Sequence, residues 1–178
     1  MRRESAQIDE THGPWGRATA RFSADRVFRY ELTRTWDESL PSVNFLMLNP
    51  STADAFQLDP TNRRCVGFAK AWGYGSIVTT NIFGFRSTDP TALRRTTDPV
   101  GTQNDAAILR ASAQADLVIA AWGVHGEYLG RGAQVRSLIE KSGVSMHILR
   151  LTKAGHPGHP LYVSADTAPM RWVCGVDR

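Results

Sequence analysis

Asn49 ends the apolar run Phe45-Leu46-Met47-Leu48 and is followed at once by Pro50, Ser51 and Thr52. An asparagine side chain donates and accepts hydrogen bonds, so Asn49 can orient a water or hold the edge of a base. Asn81 closes a second apolar, β-branched run and can read a donor–acceptor edge in the same way. His159 precedes a proline in a Gly/Pro-rich segment and can stabilise a developing anion or move a proton. Asp54 and Asp59 follow Asn49 closely, and either can act as general base toward a water beside it. Arg63, Arg64, Arg86, Arg94, Arg95 and Lys153 are candidate phosphate contacts, and Phe83, Phe85 and Tyr162 candidate stacking faces for a base.

Each of these residues has an ordinary use as well. Asparagines commonly satisfy loop backbone. Asp54 can cap a turn, and Asp59-Pro60-Thr61 can open a helix. Arginines can be surface charges, and aromatics can be partial core. His156 and His159 raise metal binding, but no third ligand fits, so no metal is expected. Cys65 and Cys174 are far apart and match no metal spacing; Cys65 reads as a buried free thiol. The chain has no Walker lysine loop, no Gly-x-Gly-x-x-Gly, no nucleophile elbow and no His-Glu-x-x-His. Dinucleotide, nucleoside-triphosphate, serine-hydrolase and zinc-peptidase chemistry lose ground, and no cofactor is expected.

The elements that must position these groups follow from periodicity. Pro50 pushes Asn49 toward extended backbone, so residues 45–48 read as a buried strand ending in a polar turn. Residues 76–82, 117–122 and 147–151 read as three more strands. Helices are expected over 62–72, 104–114 and 132–142, and one short helix in the tail after Tyr162. Residues 18–36 read as two antiparallel strands turning at Ser23-Ala24-Asp25, and residues 1–14 as poorly ordered. Strands alternating with helices predict a three-layer α/β domain with a small antiparallel element at the front. In such a sheet Asn49, Asn81, His125 and the 153–159 segment gather at one rim.

The 178 residues suffice for one domain. A net charge of +4 favours polyanionic partners without requiring them. No stretch is long and apolar enough to span a bilayer, so no membrane partner is expected, and a cytoplasmic location is.

Leu48-Asn49-Pro50-Ser51-Thr52-Ala53-Asp54, Trp72-Gly73-Tyr74-Gly75, Asp98-Pro99-Val100-Gly101, Ala121-Trp122-Gly123 and Gly155-His156-Pro157 through His159-Pro160-Leu161-Tyr162 resemble a bacterial and phage family catalogued as a domain of unknown function. More distantly, the layout is similar to the uracil-DNA glycosylase superfamily. That resemblance implies an αβα sandwich around a central four-stranded parallel sheet, with the antiparallel element at its N-terminus. It implies Asn49 as the water-positioning residue, flanked by Pro50 and Ser51 at the base, and Asn81 as the base-binding asparagine. It places His159 near the leaving base, with Tyr162 in the same motif. Thr52 and His156 then join Arg63, Arg64, Arg86 and Lys153 as expected phosphate contacts. Leu48 and Ser51 stand where that superfamily has glycines, and the Ser-Pro half of its last motif is missing.

The expected function is hydrolysis of the N-glycosidic bond of a modified or damaged base, with DNA as the expected partner. The alternatives are a hydrolase of a free nucleoside, nucleotide or small metabolite, and a non-catalytic nucleic-acid-binding module.

Overall fold

The run Val43–Met47 is apolar on both sides because it lies in the middle of a sheet that is covered on both faces. A computed structural model describes residues 6–173. Its strands are β1 (Gln7–Gly13), β2 (Gly16–Phe22), β3 (Arg29–Thr35), β4 (Ser42–Met47), β5 (Ser76–Asn81), β6 (Leu117–Ala120), β7 (His147–Ile148) and β8 (Met170–Arg171). Its α-helices are α1 (Pro60–Ala71), α2 (Asn104–Gln114) and α3 (Arg131–Lys141). Val43, Phe45 and Met47 of β4 face α1 and pack with Cys65 and Phe68. Leu46 faces the other way, into a cluster with Ile108 of α2 and Val135 and Ile139 of α3. Period-2 alternation therefore feeds two apolar layers, so β4 shows no polar face in its sequence. Asn44 is the exception on the α2 side. It donates to Ser112 (3.1 Å) and accepts from Thr80 (3.0 Å), which satisfies its amide.

The sheet itself corrects the expected architecture. There is no separate central four-stranded parallel sheet in an αβα sandwich with an antiparallel element beside it. All eight strands form one mixed sheet in the order β1-β2-β3-β5-β4-β6-β7-β8. Its antiparallel pairs are β1/β2, β2/β3, β3/β5 and β7/β8; its parallel pairs are β4/β5, β4/β6 and β6/β7. The reason is edge pairing. β3 docks antiparallel on β5, with Leu32 opposite Thr79, and so satisfies backbone groups of β5 that a four-stranded sheet leaves open. At the far side β8 does the same for β7. Residues 7–13, expected to be poorly ordered, form β1, and the tail holds β8 where a helix was expected. β7 is two residues long, not five.

Helix ends follow local chemistry. Asp59 caps α1 by accepting from the Asn62 N–H (2.7 Å), and Pro60 opens the helix at a position whose missing N–H costs nothing. α1 therefore begins two residues before the expected Asn62. Cys65 is fully buried on this helix, and burial pushes its thiol up; Cys174 lies outside the described residues.

One irregularity bears on the site. Between β2 and β3 the register runs Arg21 opposite Glu31 and then Phe22 opposite Arg29, so Tyr30 is an extra residue. Glu31 faces α2, where Arg110 pairs with it. Without the bulge, Arg29 would share that face. With it, Arg29 turns to the opposite face beside Phe22 and Ala53.

Candidate functional site

A cavity of about 450 Å³ opens beyond the C-terminal ends of β4, β5 and β6. β4 delivers Asn49 and Ser51, β5 delivers Thr79 and Asn81, and β6 runs into Trp122 and Gly123. The helical turn Pro160–Tyr162 brings His159 and Tyr162 from the opposite wall.

Asn49 is half-buried on the cavity wall. Its Nδ2 donates to Ser87 O (2.9 Å) and Pro50 O (3.1 Å), which fixes the amide plane and leaves Oδ1 as the acceptor. Asn81 is buried at 1% exposure, and among the described residues its Nδ2 has no hydrogen-bond partner. A buried donor left unpaired costs about 1–3 kcal/mol, so this amide is poised for an acceptor entering the cavity. The backbone around it is held firmly. Asn104 donates to Asn81 O (2.9 Å) and Ile82 O (3.2 Å), and Arg131 donates to Ile82 O (2.7 Å) while pairing with Asp105.

His159 is half-buried, and the Leu161 N–H donates to its Nδ1 (3.3 Å). The neutral ring then carries its proton on Nε2, as a donor. Burial pulls its pKa below the usual histidine value, with Asp59 pulling weakly the other way. Tyr162 sits beside it at the mouth, ring centroids 5.5 Å apart. Trp122 forms part of the wall, seated tightly over Gly126, where an added Cβ would meet the indole at 2.1 Å. Gly123 takes φ +72°, a conformation that favours glycine, and the chain continues along the wall through Val124 and His125.

The structure brings together Asn49, Ser51, Asn81, His159 and Tyr162, with His125 also at the wall. It separates the others, each for a physical reason. Asp54 is not on the cavity: its carboxylate accepts from the Phe56 and Gln57 N–H groups (2.8 Å each) and closes a turn. The carboxylate on the wall is Asp59, three residues before Asn62. Pro50 is buried behind the wall, its carbonyl accepting from Ser87 N and Asn49. Phe83 is no stacking face; it is fully buried on the opposite side of the sheet against Tyr128. Phe85 packs edge-on against Phe28. Arg64 ties α1 to Val163 O (2.5 Å), and exposed Arg63 reaches Leu58 O (3.2 Å). His156 faces a different depression and meets Glu127 (3.6 Å), so the two histidines do not share a ligand; Lys153 is exposed on the turn before His156. Among the described residues no group of three or more His, Cys, Asp or Glu could hold a metal.

Thr52 and Arg86 line a shallower depression with Arg26. It adjoins the cavity through Ser51, Ser87 and Thr88, which line both. Arg86 donates to Arg26 O (3.1 Å) and lies over the Phe22 ring.

Two wall residues, Asn62 and Arg29, escape sequence reasoning. Asn62 accepts from Thr79 Oγ1 (2.7 Å) and donates to Asp59 (3.0 Å), linking α1 to β5. A buried asparagine inside a helix carries no sequence mark. Arg29 lines the cavity at 1% exposure, and its Nη1 donates to Ala53 O. Only the bulge, invisible in the sequence, turns it inward.

A family model described as a protein of unknown function, DUF1643, matches residues 29–161, more than half of the chain. The chain belongs to that family. The matched span contains every cavity-lining residue named above except Tyr162. Comparisons with curated proteins and with solved structures return no match. Among the described residues no helix is long and apolar enough to cross a membrane.

Proposed function

We propose that this protein hydrolyses the N-glycosidic bond of a nucleobase held in the cavity. The observation that carries the reading is Asn81: a buried amide donor on the cavity wall with no partner among the described residues. A base presents ring and exocyclic acceptors of the kind this donor needs. The rest of the wall supports the chemistry. Asn49 Oδ1 orients the attacking water, whose oxygen bonds to the sugar C1′. The proton it sheds passes to the Asp59 carboxylate. The C1′–N bond breaks with its electron pair going to the base, and the His159 Nε2–H stabilises the departing anion, which then takes a proton from solvent. Tyr162, 71% exposed at the mouth, offers a stacking face to the incoming base. The depression lined by Thr52, Arg26 and Arg86 supports phosphate contact beside the mouth, as a DNA strand would require.

The test is a base-release screen. The protein meets DNA carrying uracil, deaminated purines, alkylated bases and hypermodified bases, and the matching free nucleosides and nucleotides; released bases are read by mass spectrometry. Asn81→Ala is expected to lower release by roughly a hundredfold or more, in the range for loss of a positioned hydrogen-bond donor. Undiminished release by Asn81→Ala, or no release from any substrate, would sink the proposal.

A further inference from the structure

We propose that Arg29 is an oxyanion subsite inside the cavity, and that the ligand is a free nucleoside monophosphate whose phosphate pairs with this guanidinium. The inference rests on the nucleobase reading above and names its substrate class.

Arg29 is buried at 1% exposure and lines the cavity wall. Its side chain donates to Ala53 O, and its Nε has no partner among the described residues. No carboxylate forms an ion pair with it among the described residues. Burial draws its pKa down to about 10, so it is still charged at neutral pH. Asp59 and Asp54 attract it only from beyond ion-pair distance, and a buried charge without a carboxylate in contact is the arrangement that an incoming anion completes.

The surroundings favour an anion. Arg150 is the other cation on the wall, and Asp59 is the carboxylate there. Asp59 Oδ1 is already engaged by the N–H and side-chain amide of Asn62. Arg34 of the same strand braces the next carbonyl, that of Asp54 (3.1 Å), also through one N–H and with its Nε likewise unpartnered; what sets Arg29 apart is its deeper burial and its place on the cavity wall. The bulge at Tyr30 is what gives Arg29 its inward aim.

Burial also selects the form of the ligand. The phosphodiesters of a polynucleotide strand track the mouth, where Arg86 lies. A phosphate that reaches Arg29 must enter the cavity with its molecule, and about 450 Å³ suits a small ligand. The guanidinium fork matches both phosphate and carboxylate, so the test separates them.

The experiment is calorimetric titration of the whole protein with matched pairs of nucleoside and nucleoside monophosphate for each base. Thermal melting in inorganic phosphate and in acetate runs alongside. At least one monophosphate should bind roughly tenfold or more tighter than its nucleoside, as a charge-assisted pair implies. Phosphate should raise the melting temperature. Arg29→Gln should erase both effects, and Arg29→Lys should restore part of the preference. If neither variant folds, the wild-type comparison of the pairs decides alone. Equal affinity within every pair, no binding by either member, or stabilisation by acetate but not phosphate overturns the subsite. Base release from DNA without a monophosphate preference leaves the hydrolase standing and removes the subsite. A monophosphate preference without base release does the reverse.

Discussion

His159 is the residue whose environment makes the sharpest chemical forecast. Its Nδ1 accepts from the Leu161 N–H, and its pKa is held below the ordinary value of 6.5, first by burial. Protonation puts a hydrogen on Nδ1 and breaks the Leu161 N–H bond that aims the ring, so kcat/KM is expected to be flat above that pKa and to fall as pH drops through a midpoint below 6.5. A pH–rate profile checks this, and His159→Gln should remove the acid limb. Stability follows the same sign. The unfolded chain takes up the proton first, so folding weakens as pH falls from about 6.5 toward the folded pKa and is unaffected above it. At this scale the sequence shows residue types and leaves their aim open. Asn49, Asn81 and His159 were legible because each ends an apolar run or precedes a proline. Phe83 was misread because alternation stops where β5 ends at Asn81, and Ile82 and Phe83 then enter the same core cluster. Asp54 and Asp59 are chemically alike in sequence; a turn claims the first, and the cavity wall holds the second.

The end of β5 is the element on which the site depends. Asn104 and Arg131, from two different helices, donate to the Asn81 and Ile82 carbonyls. Asn104→Ala removes the side-chain donor to the Asn81 carbonyl, while Ile82 O keeps Arg131, and should lower stability by about 1–3 kcal/mol in urea titration. It should also reduce base binding, because Asn81 loses the support that aims it. Gly123 makes a second forecast. At φ +72° any side chain is strained, so Gly123→Ala should cost about 1–2 kcal/mol even though an added Cβ meets open space. Helices α1, α2 and α3 were legible to within two residues, since their apolar spacing and caps are local. The bulge in β3 was not. It is a mismatch between two strands, and neither strand shows it alone.

Across the whole molecule, one sheet carries both the antiparallel N-terminal strands and the parallel strands that hold the site. β3 pairs with β5 and braces the turn after β4 through Arg29 and Arg34, so the two regions share interactions. Unfolding should therefore be a single transition, with far-UV and near-UV circular dichroism melting together. Two separated transitions would show that the N-terminal strands fold as an independent unit. Phe45, fully buried in the α1-side core, should cost about 3–5 kcal/mol when changed to Ala, read by denaturant midpoint.

By itself the sequence determined where the apolar runs stop and polar groups begin, which places Asn49, Asn81 and His159 at element ends. Those features are set by neighbours a few residues away, through backbone preference and period. Strand partners, the sheet's mixed character, the strands at residues 7–13 and 170–171, and the inward turn of Arg29 were decided only in the tertiary structure. They arise from backbone groups finding partners far along the chain, and a strand's own residues do not name the edge it will meet.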